Sequence, residues 1–164
     1  MGNSKTSSNS NIVDLSFEPI RKKRFRIDGD DNRILELNTS DLNIVVRLRE
    51  AYPKLVDLAK SSFSDLPDID NSKDYDFMTD QATTKTIEAL KNADKQMREL
   101  MDYIFESNVS EICAPDGSMY DPINGQFRFE YIISILGDLY EKDVSSEMGK
   151  ISKRVKKHTD KYMR

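Results

Sequence analysis

The chain holds one cysteine, Cys113, and one histidine, His158, so a thiol nucleophile with a histidine base would need both of them. A thiol becomes nucleophilic when a neighbouring base or cation stabilises its thiolate. Cys113 stands between Ile112 and Ala114, whereas His158 lies far off in a basic run, and the sequence therefore reads Cys113 as a small apolar residue of the core. A single cysteine also excludes an intramolecular disulfide and any multi-thiolate metal site within one chain. Oxygen ligands offer a second chemistry. Asp68, Asp70, Ser72 and Asp74 take the spacing of the first ligands of a calcium loop, but Lys73 stands where that loop needs glycine and Thr79 where it needs a bidentate glutamate. The turn from Asp28 to Asn32 fails in the same way, with Arg33 at the glycine position. Both are read as solvated loops. No Gly-rich phosphate loop, metal-spaced histidine cluster or nucleophile elbow is present, so the expectation is a non-enzyme with no cofactor and no metal.

Cationic clusters are the next candidates. Arg21, Lys22, Lys23 and Arg24, followed by Arg26, could hold phosphate or act as a nuclear signal. The run leads into Phe25 and Ile27, however, which places its cations on the solvent face of an edge strand, where they also discourage edge-to-edge pairing. The second cluster surrounds a seam of Val144, Met148, Ile151, Val155 and Tyr162, and it includes Lys150, Lys153, Arg154, Lys156, Lys157, Lys161 and Arg164. Such a basic amphipathic helix is open to three readings. It is a solvated face, or one lying on this chain's own acidic segment between Asp65 and Asp80. It is a surface for a protein partner. Or it is a surface for nucleic acid or an anionic membrane. A formal net charge of −4 gives no global attraction to nucleic acid, which ranks below a protein partner.

The elements that must carry these residues follow from periodicity. Of the 164 residues, 37% are hydrophobic and 33% charged, with no Trp, which suits one domain with a modest core. No run approaches the ~18 apolar residues of a membrane span, and the N-terminus has no apolar signal-peptide core, so the expected setting is a reducing cytoplasm. Residues 1–11 are polar, dominated by Ser and Asn, and are expected to be a disordered tail; Met1 to Thr6 also fit the loose pattern for acylation of Gly2. Residues 12–164 are expected to form a single domain. Ile12, Val13, Leu15, Phe17 and Ile20 suggest an extended arm docked on it.

Alternating apolar residues on either side of Asp28 and Gly29 predict a β-hairpin over 22–37. A helix over 41–62 follows, with Ser40 as N-cap, Asp41 in its first turn, a buried face of Val45, Leu48, Tyr52, Leu55 and Ala59, and a kink or break at Pro53. An acidic loop is expected over 64–78. A long helix over 79–107 presents Ile87, Leu90, Met97, Met101 and Ile104 on a ladder broken by Asp94, a stripe that wants either a packing helix or another chain. Turn signals crowd residues 108–125 into a loop. A core helix over 126–142 contains Gly137, which would allow a neighbouring helix to come close, and the basic amphipathic helix spans 144–163. The fold class is α+β and mostly α, a hairpin followed by four to five helices in a small bundle. Candidate partner-binding residues are Ile87, Leu90, Met97, Met101 and Ile104 on the stripe, with Lys153, Arg154, Lys156 and Lys157 on the basic helix.

The segment from Asp30 to Asp41, DDNRILELNTSD, with the following helix to Leu55, resembles small proteins of tailed-phage and prophage tail modules, and Tyr120 to Phe127, YDPINGQF, adds to the likeness. Within those modules the similarity is to tail assembly chaperones. It covers about a quarter of the chain and contains no diagnostic motif, so no functional residue carries over. The resemblance implies a short β element followed by helices. It also implies a task in the bacterial host cytoplasm: holding aggregation-prone tape-measure helices while tail-tube subunits polymerise around them. Other phage tail proteins would be the partners, self-association is compatible with the same apolar faces, and a nucleic-acid-binding regulator using the C-terminal basic helix is the alternative.

Overall fold

The computed structural model describes residues 13–17, 19–20, 22–64 and 81–162. The expected tail at 1–11 lies outside the described residues, and so does the expected acidic loop beyond Ser64, with its calcium-like spacing. What is described is α+β and mostly α: a β-hairpin followed by four helices. The elements are β1 (Lys23–Ile27), β2 (Asp30–Leu37), α1 (Asn43–Ser64), α2 (Gln81–Phe105), α3 (Val109–Cys113), β3 (Pro122–Ile123), β4 (Gln126–Phe127) and α4 (Arg128–Tyr162).

The hairpin forms where the alternation places it. Asp28 and Gly29 both take positive φ, 52° and 75°, as a two-residue hairpin turn requires, and glycine adopts that conformation at no steric cost. Phe25 pairs with Leu35 and faces inward, while Arg24 pairs with Glu36 on the outer face. The register shifts between Arg26 and Ile27, leaving Asp31 to Arg33 as extra residues in β2. The cations of this edge are engaged with carboxylates: Arg24 lies 3.1 Å from Glu36 and Arg26 2.8 Å from Asp31. The described residues of the preceding arm do not dock, and Ile12 lies outside the described residues. Val13, Leu15, Phe17 and Ile20 are 75–83% exposed, and the described arm has no regular structure.

Helix α1 is one continuous helix through Pro53, which sits on its exposed side, where water can satisfy the carbonyl that proline leaves without a donor. Its cap is Asp41, not Ser40: the Asp41 carboxylate accepts the Asn43 N–H at 2.9 Å, whereas the Ser40 hydroxyl turns to Asn38. The buried face is also shifted. Ile44, Ala51 and Leu55 are buried with Arg47 among them, and Val45 and Tyr52, expected inside, are exposed. A helix with apolar residues on two faces can bury either, and here the face carrying Arg47 is the one that meets the end of α2.

Helices α1 and α2 are antiparallel, since Arg47 near the start of one reaches Ile104 near the end of the other. From Ala93 onward α2 fills the core with Met97, Met101, Ile104 and Phe105. The expected loop over 108–125 is more structured than its turn signals suggest. It contains α3, whose Ser110 N–H and hydroxyl are both held by the Asp102 carboxylate, and the small β3–β4 ladder turning at Asn124 and Gly125.

The two C-terminal helices expected from the sequence are one, α4. Its start is well capped: the N–H of Phe127 donates to Glu130, that of Arg128 to the Asp121 carbonyl and that of Phe129 to the Met119 carbonyl. Phe129, Ile132, Leu136 and Tyr140 are buried. Gly137 meets nothing within 4 Å of where a Cβ would stand, so among the described residues no helix approaches it.

Candidate protein-binding surfaces

The stripe on α2 divides. Met97, Met101 and Ile104 are fully buried in the chain's own core and offer no surface to another chain. They share one core cluster with residues of β2, α1 and α4, in which the Phe105 and Tyr140 rings lie 5.9 Å apart. Ile87, 41% exposed, and Leu90 instead line a groove of about 440 Å³ shared with Lys91, Tyr120 and Asp121. Asp94, which interrupts the ladder in the sequence, ties this groove together. Its carboxylate accepts the Met119 N–H at 2.6 Å, the Ser118 hydroxyl at 3.0 Å and the Arg98 guanidinium at 2.8 Å. Burial pushes the Asp94 carboxyl up, but these bonds from Arg98, Met119 and Ser118 outweigh it and hold the group below its ordinary value.

The same linkage is repeated by other arginines, none of which sequence reasoning singled out for the task. Arg98 also donates to the carbonyls of Ser110, Ala114 and Gly117, Arg33 to those of Ile112 and Cys113, Arg47 to that of Ile104, and Arg128 to that of Asp116. Four elements thus pin the segment from 104 to 117 through its backbone. A guanidinium suits this work because its planar fork presents five donors and keeps its charge. These arginines are committed to structure.

Among the described residues, two helix faces each expose several large apolar side chains together. Leu42, just before α1, and Val45, Val46 and Tyr52 on it are 53–66% exposed. At about 100° per residue they centre about 150° round the helix from Ile44, Arg47, Ala51 and Leu55, so α1 carries a second apolar face pointing outward. The other surface is the far half of α4. Phe129 is held by Met119, beside Asp94, and the Tyr140 ring lies tilted 5.9 Å from that of Phe105, so α4 runs in the same direction as α2 over that span. Asp143 accepts Lys23 and Thr39 and is the last tie to the hairpin. The helix then continues to Tyr162, nineteen residues and about 28 Å, with every described side chain from Ser145 to Lys157 exposed. Lys153, Arg154, Lys156 and Lys157 all lie on this projecting half, with Met148, Ile151 and Val155 at 49–57% exposure.

The chemistry available elsewhere is slight. Among the described residues no group of three or more His, Cys, Asp or Glu is placed to hold a metal ion. A cleft beside the hairpin turn is lined by Ile27, Cys113, Ile123, Tyr131 and Ile135, but burial pushes the Cys113 thiol up to about 11, away from the thiolate that a nucleophile needs. No helix among the described residues is long and apolar enough to cross a membrane. Compared with protein-family models, curated proteins and solved structures, the chain matches none.

Proposed function

We propose that this chain is a non-enzymatic assembly protein of a phage tail module, of the tail assembly chaperone kind, working in the bacterial host cytoplasm. It holds helical segments of tape-measure or other tail proteins against apolar helix faces until tail-tube subunits replace it. The observation that carries the reading is the outward face of α1, where Leu42, Val45, Val46 and Tyr52 stand exposed on a helix whose opposite face is already buried. An exposed apolar helix face of this kind suits packing by the apolar stripe of a second, amphipathic helix, with side chains spaced three and four residues apart. On the opposite side of the helix, Arg47 ties α1 to Ile104 and Asp41, so the backbone under that face is anchored to the core.

The test is co-expression with long helical tail proteins drawn from the same gene neighbourhood, reading the soluble fraction of those proteins. The wild-type chain raises it, and the V45D/Y52D double variant, altered only at exposed positions, does not. An unchanged soluble fraction with the wild-type chain defeats the reading. One observation favours a nucleic-acid alternative, the exposed cluster of Lys153, Arg154, Lys156 and Lys157. A salt-titrated binding assay with duplex DNA and with RNA decides it, since phosphate contacts weaken steeply as salt rises.

A further inference from the structure

The projecting half of α4 has a narrower seam than a helix that packs on a globular core. Val144, Met148, Ile151 and Val155 follow steps of four, three and four, which are the d, a, d and a positions of a heptad, and no other large apolar side chain accompanies them between Ser145 and Lys157. A stripe restricted to a and d is a coiled-coil seam. Lys150, Lys153, Lys156 and Lys157 fall at c, f, b and c, on the back of the helix, where they do not oppose a partner. A helix extension this long, alone in water, is only marginally stable, so the seam calls for a partner helix.

We propose that a second copy of this chain covers the seam as a two-stranded antiparallel coiled coil about a two-fold axis between Met148 and Ile151. The flanking positions choose the orientation. Glu147 and Arg154 occupy successive g positions, and Ser145 and Ser152 successive e positions. In a parallel pair, g faces e, so Glu147 meets a serine and Arg154 a threonine, with no ion pair. In the antiparallel pair, g faces g. Met148 then packs on Ile151 of the other copy and Val144 on Val155, while Glu147 meets Arg154 twice by symmetry, and Ser145 meets Ser152. Side-chain size and charge agree in one register.

The body leaves room for this. At about 100° per residue the seam is turned about 85° round α4 from Phe129, Ile132, Leu136 and Tyr140, so the second helix passes beside the core and not through it. Gly137 falls on that same bearing, and the space where its Cβ would stand is open. The close approach that a glycine permits is therefore available to the other copy's helix. The inference goes beyond the assembly function and does not depend on it.

The test uses the full-length chain in sedimentation equilibrium from about 1 to 100 µM. A dimer is expected, and I151D, which lies outside the core, gives a monomer whose globular part melts as the wild type does. E147R and R154E each weaken the dimer about tenfold, and the E147R/R154E double swap restores it, because g-to-g pairing is regenerated. A wild-type monomer across that range, or a dimer indifferent to I151D, overturns the proposal. Dimers unmoved by either single charge reversal overturn the antiparallel arrangement. If I151D is monomeric but still raises the soluble fraction of the tail protein, both proposals stand separately; loss of solubilisation by the wild-type dimer removes only the assembly function.

Discussion

The Arg47 guanidinium donates its Nε hydrogen to the carbonyl of Ile104 at 2.8 Å, joining the first turns of α1 to the last turn of α2 inside the core. The same group lies 2.7 Å from Asp41, the residue that caps α1, so one buried cation serves a helix start and a helix end together. Burial raises the Asp41 carboxyl, but the hydrogen bonds from Arg47 and Asn43 outweigh it and leave the group below its ordinary value.

Replacing Arg47 by alanine leaves the half-buried Asp41 carboxylate without its cation and the Ile104 carbonyl without the Arg47 donor. The expected loss of stability is about 3 kcal/mol. Urea unfolding followed by circular dichroism reads this as a lower midpoint at unchanged slope. A loss under 0.5 kcal/mol would mean that Arg47 only decorates the interface.

Asp94 sets a pH dependence. Its pKa in the folded chain is below the ordinary 3.8, so its contribution is fully present above that value and disappears as the pH falls through the folded-state pKa. D94N is expected to cost about 2 kcal/mol at pH 7, from weakened charge-assisted bonds to Arg98, Met119 and Ser118. The gap between wild type and D94N should close on acidification below pH 3.8; a gap constant from pH 7 to pH 2 refutes the assignment.

Two glycines should respond in opposite directions. Gly137 lies inside α4 with open space around it, so G137A stabilises the monomeric chain by about 1 kcal/mol through helix propensity. Gly117 holds φ at +72°, and a Cβ there would strike the Asp121 carboxylate. G117A is expected to destabilise by about 2 kcal/mol. Thermal melts of the two variants, run in the I151D background to hold the oligomeric state constant, check both signs.

Cys113 should be slow to alkylate. A thiol raised from 9.0 to about 11 has about a hundredfold less thiolate at pH 8, and iodoacetamide should label the native chain about a hundredfold more slowly than the urea-unfolded chain. Equal rates would show that the thiol is open to solvent.

Local chemistry in the sequence determined the hairpin and the helical character of the long stretches, though not α3 or the joining of the last two expected helices into α4. Asp28 and Gly29 suit positive φ, Phe25 and Leu35 alternate with Arg24 and Glu36, and the long helical stretches lack internal turn signals strong enough to stop them. Pro53 and Gly137 did not break α1 or α4, because each stands on an exposed side where its defect is tolerated. The choice of buried face was a tertiary decision. Periodicity names the apolar positions of α1 but cannot say which of its two faces will meet α2, and the answer depended on Arg47 finding a carbonyl 57 residues away. The same holds for the candidate surfaces. Met97, Met101 and Ile104 became core because side chains from β2, α1 and the first part of α4 converge with them in one cluster, while Met148, Ile151 and Val155, equally periodic, stayed uncovered because the last tie of α4 to the hairpin is at Asp143. Apolar spacing is a local property, and whether a stripe is core or surface depends on where the rest of the chain runs out.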